Sequence, residues 1–300
     1  MGEARHLGWP PGFSWPAHEF CCSKADGIAP SHRDMGMTQP KVSVVIPTFN
    51  RKAQLALALA SAISQTVKPY EIVVVDDGST DDTPEMLNEF ARLHADMRIL
   101  IIRQENRGPS SARNSGIKAA SGYFIAFLDD DDIWHPEKLE RQLAILDAVP
   151  ELALLGCATD TLKLAKGLRL VNVGEWSLLF RNWFITPGVV ARRDILMASG
   201  GFPEDMHHCE DYALWLRVAS GHKCAFLNEV LVSCGHGKPG FGHGGLSADL
   251  GALYAGELEA LARWGKQRNA GMAIAKLVAA LASARHLRRR IITAARQQTP

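Results

Sequence analysis

Four consecutive aspartates, Asp129 to Asp132, follow directly on the apolar run Tyr123-Phe124-Ile125-Ala126-Phe127-Leu128. That run has the length and composition of a buried strand. Four adjacent carboxylates repel one another, so a fold gains little by collecting them. A divalent cation removes the conflict, because hard ions such as Mg²⁺ and Mn²⁺ prefer carboxylate oxygen. Open α/β sheets also bind ligands just past the carboxyl ends of their strands. The competing reading is a solvated acidic turn in which Asp132 or a neighbour caps a helix.

A second strand end repeats the pattern. Ile72-Val73-Val74-Val75 runs into Asp76-Asp77-Gly78-Ser79-Thr80-Asp81-Asp82-Thr83, where Ser79, Thr80 or Asp81 suits the cap of a following helix. A third apolar run, Val42-Ser43-Val44-Val45-Ile46, ends in Pro47-Thr48-Phe49-Asn50-Arg51. One polar strand end is weak evidence. Three, with helical segments between them, define a site.

The elements that must position these residues alternate from residue 41 onward. Strands are expected at 42–46, 71–76, 98–102 and 123–128, and helices near 52–65, 81–93, 110–120 and 136–147. Such alternation makes right-handed βαβ crossovers and a mainly parallel sheet, and near-continuous Val/Ile runs suit strands covered on both faces. Beyond Pro150 the pattern is mixed, with strands at 152–158, 168–173 and 187–191 and a helix at 209–219. In that helix Tyr212, Trp215, Leu216 and Ala219 recur at core spacing. Residues 235–247 form a glycine-rich loop, and from residue 249 the chain is helical by composition. There Ile274, Leu277, Val278, Leu281, Ala284, Leu287 and Ile291 trace one face. Two uses suit it: docking on the body, or lying on anionic lipid as a basic amphipathic helix.

Composition narrows the classes. A hydrophobic fraction of 47% with 22% charged residues is ordinary for a globular protein, and a net charge of +1 gives no general attraction to nucleic acid. The charge is unevenly spread. No acidic residue follows Glu259, whereas nine cations do, from Arg263 to Arg296, so an acidic body carries a basic tail. The six cysteines, at 21, 22, 157, 209, 224 and 234, fit no zinc-ligand spacing and read as reduced thiols of a cytoplasmic protein. No stretch reaches the roughly 18 apolar residues of a spanning helix. Residues 1–38 lack both periodicity and a signal-peptide core and read as a disordered leader, with Met35 or Met37 as the expected translation start.

Pro47-Thr48-Phe49-Asn50-Arg51, the DDGSTDDT segment from Asp76, Arg113-Asn114-Ser115-Gly116 and the LDDDDIWHP segment from Leu128 occur in order. Together with Gly200-Gly201-Phe202 and Glu210-Asp211-Tyr212-Ala213-Leu214-Trp215, they resemble the family 2 glycosyltransferases over about residues 41–247. The resemblance implies an α/β, GT-A-type fold: a Rossmann-like, mixed, mainly parallel sheet flanked by helices, here with a C-terminal helical extension. It divides the chain into a transferase domain at 39–247, with a nucleotide half at 39–135 and an acceptor half at 136–247, and a basic extension at 248–300.

It also implies roles. Asp77 accepts hydrogen bonds from the donor base, a task for an acceptor-only carboxylate facing a base with an N–H edge such as uracil. Asp76 serves the turn or the ribose, and Pro47, Thr48 and Asn50 line the nucleoside pocket, although Thr48 and Asn50 equally suit capping. Asp129 and Asp131 are the ends of a D-x-D element with Asp130 between them; Asp131 is the direct ligand of Mn²⁺ or Mg²⁺, and Asp129 lies near the ribose or binds the metal through water. Arg113 adds charge near the diphosphate, or is an ordinary helix-surface arginine. Asp211 is the base that takes the acceptor hydroxyl's proton in an inverting transfer, with Glu210 holding the acceptor. Gly200 and Gly201 allow close approach to the acceptor or donor sugar, Trp215 contacts it, and His243 or His236 closes over the metal.

The expected enzyme is therefore an inverting transferase. It moves a sugar from a nucleoside-diphosphate donor, of UDP type, to a glycan or glycolipid acceptor in cell-surface polymer synthesis. It works in the cytoplasm, with the C-terminal helix on the inner face of the plasma membrane. A sugar nucleotidyltransferase would carry a glycine-rich basic loop after the first strand, which Pro47-Thr48-Phe49-Asn50-Arg51 is not. A catalytically inactive nucleotide-sugar-binding protein would have no need to retain Asp77, Asp131 and Asp211.

Overall fold

The computed structural model describes residues 41–164, 168–235 and 249–297. The leader, its start site, the glycine-rich loop and both His236 and His243 lie outside the described residues. The first three strands, β1 (Val42–Thr48), β2 (Glu71–Asp76) and β3 (Ile99–Arg103), pair in parallel, as do β1 and β4 (Phe124–Phe127). Every residue of β1, β2 and β4 is buried. Alternate side chains feed opposite faces: Val45, Val73, Val75 and Phe127 join one apolar cluster, and Val44, Ile46, Ile72 and Val74 the other.

Helices cover these faces. In α1 (Lys52–Ile63), Leu55, Leu59 and Ala62 turn inward at helical spacing, while α2 (Thr83–Leu93) follows the Asp76–Asp82 turn. The third helix, α3 (Pro109–Ala119), starts with proline and presses so closely on β1 that a Cβ at Gly116 would lie 2.4 Å from a Val45 methyl. Then come β5 (Ile133–Trp134) and α4 (Lys138–Ala148), which buries Leu139, Leu143 and Leu146.

The later half completes the same sheet: β6 (Leu152–Thr159), β7 (Leu170–Asn172), β8 (Val190–Arg192) and β9 (Lys223–Ser233). The strand order is β3-β2-β1-β4-β8-β6-β9-β5, with β7 on β9. Only β8 reverses direction between β4 and β6, so its beginning, not its end, lies beside the carboxyl ends of β1, β2 and β4. This mixed sheet carries the short helices α5 (Glu175–Phe180) and α6 (Arg193–Ala198) and the longer α7 (Glu210–Ala219). The eleven-residue β9 was not expected; Asn228 and Glu229 interrupt its apolar run and coincide with register shifts against β6.

The C-terminal segment is two helices, α8 (Leu250–Gln267) and α9 (Met272–Gln297), and the Asp249 carboxylate caps the first by accepting from the Gly251 and Ala252 amides. Only part of the face traced on α9 docks. Val278 and Ala282 are buried and Ile274 packs on the core, whereas Leu277, Leu287 and Ile291 point outward. The inward side includes Arg285 and Arg289, which meet the buried Glu257 of α8, the latter at 2.7 Å. No helix among the described residues is long and apolar enough to cross a membrane.

Candidate active site

A cavity of about 590 Å³ opens where β1, β2 and β4 end and β8 begins. This is the strand-end position at which open α/β sheets take ligands, and the volume suits one small molecule. Its first wall is Pro47, Thr48, Phe49 and Arg51 after β1, with Asp77 after β2. The Asp77 amide donates to the Thr48 carbonyl at 2.9 Å, so the two strand ends are fixed together. The Asp77 carboxylate then receives Gln104 Nε2 at 2.7 Å, the Arg107 amide at 3.0 Å and the Gly108 amide at 2.8 Å. Oδ1 takes two of these donors and Oδ2 one, which leaves Oδ2 one lone-pair direction.

The four aspartates have four different sets of partners. Asp129 receives Arg113 Nη2 at 2.7 Å. Asp130 receives Thr48 Oγ1 at 2.8 Å and Arg51 Nη1 at 3.0 Å, and Asp131 shares that same nitrogen at 2.8 Å. Asp132 turns away and accepts the Gly235 amide at 2.7 Å. Burial pushes the Asp130 carboxyl up to about 6, against the pull of Arg51 and Thr48. Burial and the charge of Asp129 push Asp132 up to about 8. The repulsion foreseen among these carboxylates is thus eased by two guanidiniums, a hydroxyl and an amide.

The opposite wall comes from the second half. The turn Ile185-Thr186-Pro187 reaches the cavity because β8 starts there, and Trp134 Nε1 ties it to the aspartate segment through the Pro187 carbonyl at 2.9 Å. His208, Cys209, Glu210 and Asp211 enter at the start of α7, and Leu253 of α8 closes the rim. Arg113 bridges the walls: its Nη1 donates to Glu210 at 3.2 Å while Nη2 holds Asp129, and its guanidinium lies over the Phe202 ring. Burial alone would lower the pKa of Arg113, but the Asp129 and Glu210 carboxylates overcome it and keep the guanidinium firmly charged. Burial and the like charge of Glu210 push the Asp211 carboxyl up to about 7. A carboxyl at that value takes up or releases a proton near neutrality.

Most of the site residues expected from sequence therefore share one cavity: Pro47, Thr48, Asp77, Arg113, Asp129, Asp130, Asp131, Glu210 and Asp211. Five do not line it. Asn50, at φ 53°, receives the Thr80 amide on its side chain and gives its own amide to Ser79, bracing the two loops. Asp76 is buried and accepts the Ser79 amide at 2.8 Å, a turn-forming role. Gly200 and Gly201 adopt positive φ in the α6–α7 loop, and Gly201 abuts the Asn114 side chain. Trp215 is fully buried against Phe127, Phe184 and Phe202, so its core spacing, and not sugar contact, describes it. Arg113 faces carboxylates on both sides and is no helix-surface arginine.

Sequence reasoning passed over Arg51, Asn106, Thr186, Pro187, His208 and Leu253, all in the lining. Only Arg51 carried a local signal, as the last residue of a strand-end motif. Among the described residues no three His, Cys, Asp or Glu side chains form a ready-made metal cage. Asp131, 40% exposed, and Asp129, at 24%, both line the cavity and are the carboxylates that would hold a Mg²⁺ or Mn²⁺ ion, hard cations that prefer carboxylate oxygen.

Comparison with known proteins agrees with this geometry. The family model described as glycosyl transferase family 2 matches residues 43–167. An uncharacterized glycosyltransferase of Rickettsia conorii is 33% identical over 69% of the chain, which spans only 35% of that relative's length. The Escherichia coli UDP-Glc:alpha-D-GlcNAc-diphosphoundecaprenol beta-1,3-glucosyltransferase WfgD is 30% identical, over 62% of the chain and 73% of WfgD. Among solved structures, S. aureus TarS 1–349 in complex with UDP-GlcNAc superposes with a TM-score of 0.61 at 21% identity, covering 74% of this chain and 66% of TarS 1–349. The mannosyltransferase PcManGT of Pyrobaculum calidifontis, in complex with GDP-Man and Mn²⁺, gives 0.60 at 23% identity, over 87% of this chain and 77% of its own. The strand-end aspartates, the sheet order and these matches agree: the chain belongs to glycosyl transferase family 2 and has the GT-A fold.

Proposed function

We propose that the chain is an inverting, metal-dependent hexosyltransferase that carries a sugar from a UDP-type donor to a hydroxyl of a lipid-linked or growing surface glycan. The observation that carries this is the position of Asp211, a carboxyl raised to about 7 at the start of α7, lining the same cavity as Asp129 and Asp131. Inversion needs a base on the face away from the leaving diphosphate, and a group of that pKa suits the task. Asp211 takes the acceptor's proton, and Arg113 holds Glu210 in place beside the acceptor. Asp77 offers the free lone pair of Oδ2 to the base N–H, and Thr48 and Pro47 border the nucleoside. Asp131, with Asp129, holds Mn²⁺ or Mg²⁺, which when bound supplies Lewis-acid neutralisation of the departing nucleoside diphosphate.

The UDP preference and the lipid-linked acceptor draw on the names of WfgD and of the TarS complex, and metal dependence on the PcManGT complex. Residues 39–247 form the transferase body, and 248–300 an extension whose first helix lends Leu253 to the acceptor rim. On α9 the outward Leu277, Leu287 and Ile291, with Arg288 and Arg290, form a basic apolar stripe, and Arg181, next to the exposed Phe180, feels the charge of Arg288. This side suits an anionic membrane surface, and with it a place at the inner leaflet.

A panel of nucleotide sugars incubated with and without Mn²⁺ tests the proposal. Metal-dependent release of UDP from one or two donors is expected. Release of pyrophosphate would instead indicate a nucleotidyltransferase, and binding without any release would indicate an inactive binder.

A further inference from the structure

Two arginines reach the acidic segment, and they are held in opposite ways. Arg113 is enclosed, with both terminal nitrogens committed and its side chain only 9% exposed. Arg51 stands at the cavity mouth with its side chain 40% exposed, and a single nitrogen, Nη1, serves Asp130 at 3.0 Å and Asp131 at 2.8 Å. Asp131 is equally open, at 40%, while Asp130 is nearly closed off at 9% and also held by Thr48.

We propose that Arg51 is a built-in counterion of Asp131 that a divalent cation must displace. The inference rests on the reading that Asp131 is the metal ligand. A guanidinium does not lose its proton in water-accessible pH, so it leaves a carboxylate only by competition. Arg51 can leave, because its side chain is 40% exposed at the cavity mouth and its charge can turn into water or toward an incoming anion. Arg113 cannot, and so it keeps Asp129 in place throughout. A guanidinium freed at the mouth stands beside the space a diphosphate must enter, so cation and diphosphate each favour the other's binding through Arg51. The arrangement keeps Asp131 neutralised until both arrive.

The experiment is a titration of the full chain with MnCl₂ alone, free Mn²⁺ being read by electron paramagnetic resonance. Removing a unit charge in contact with the ligand should tighten Mn²⁺ binding by at least about fivefold in Arg51→Gln. Lys52→Gln removes a neighbouring charge that pairs with Asp82 instead, and should stay within about twofold of wild type. Arg51→Lys, which keeps the charge, should lie between wild type and Arg51→Gln. Unchanged or weaker binding in Arg51→Gln overturns the inference, as does an equal gain in Lys52→Gln, which would make the effect a general field. Asp131→Asn separates the two readings. If it retains Mn²⁺, the metal assignment fails and the counterion falls with it; if it loses Mn²⁺ while Arg51→Gln gains nothing, only the counterion is wrong.

Discussion

The side-chain amide of Asn114 closes on the Phe202 peptide from both sides: Oδ1 accepts the Phe202 amide and Nδ2 donates to the Phe202 carbonyl, each at 2.8 Å. Two motifs 88 positions apart are thereby one structural unit. Asn114 follows Arg113 on α3, and Phe202 carries the ring beneath the Arg113 guanidinium. The bridge fixes the loop leading to α7, and with it Glu210 and Asp211, against the helix that holds Asp129.

Gly201 is the weak point of that bridge. A Cβ there would lie 2.4 Å from Asn114 Oδ1, on a backbone at φ +69°. Gly201→Ala should therefore cost on the order of 2 kcal/mol through strain and a displaced amide. At this size that is a fall of about 3 °C in Tm. A melt within about 1 °C of wild type, roughly the noise of the measurement, would show that the loop absorbs the methyl freely.

Asp211→Asn keeps the shape of the side chain but cannot accept a proton at neutral pH. Transfer should slow by about 10²–10⁴-fold, with donor affinity little changed. In the wild-type chain the rate should rise with pH through about 7, as the carboxyl released from its buried, Glu210-crowded proton becomes a base. Product from an α-linked donor should be β-linked, which the anomeric proton in NMR reports. A retained configuration, or a variant within a few-fold of wild type, would remove Asp211 from the reaction.

The same carboxyl has a stability consequence of opposite sign. Its folded pKa, about 7, lies above the ordinary 3.8, so the folded protein holds the proton more tightly than the unfolded chain. The favourable contribution is full below about pH 4 and is lost as pH rises toward 7. Asp211→Asn should then raise Tm more at about pH 8 than at about pH 5, by at least about 2 °C. Equal shifts at both pH values would contradict the linkage.

Asp77→Ala removes the lone pair offered to the base and also strips the Arg107 and Gly108 amides of their acceptor. Donor KM should rise more than kcat falls, and stability should drop by about 1–3 kcal/mol. Chemical denaturation beside kinetics separates the two effects. A change in kcat alone would speak against a base-binding role.

What could be seen in the sequence was what local pattern encodes. Val42–Ile46, Ile72–Val75 and Phe124–Leu128 read as strands, and Thr48, Arg51, Asp77 and Asp129 to Asp131 after them meet in one cavity. Thr186 and Pro187 were hidden because their place depends on β8 running against β4, a property of pairing and not of any short run. Leu253 arrives from a helix that begins only after α7 and β9 have passed, by tertiary packing alone. Trp215 satisfied two patterns at once, a core position and a motif position, and burial decided between them. Asn50, Asp76 and Asn114 show that a motif residue can be tied to backbone groups and sit off the cavity lining.

Glu257 sets a boundary for anyone trimming the chain. It is 3% exposed on α8, and its charge is met by Arg285 and Arg289 of α9. A chain cut in the loop before Met272 would keep every cavity residue yet strip Glu257 of both its arginine partners and uncover the α8 face that packs on α9, on the helix that carries Leu253. A trimmed version that keeps this ion pair whole extends through Arg289.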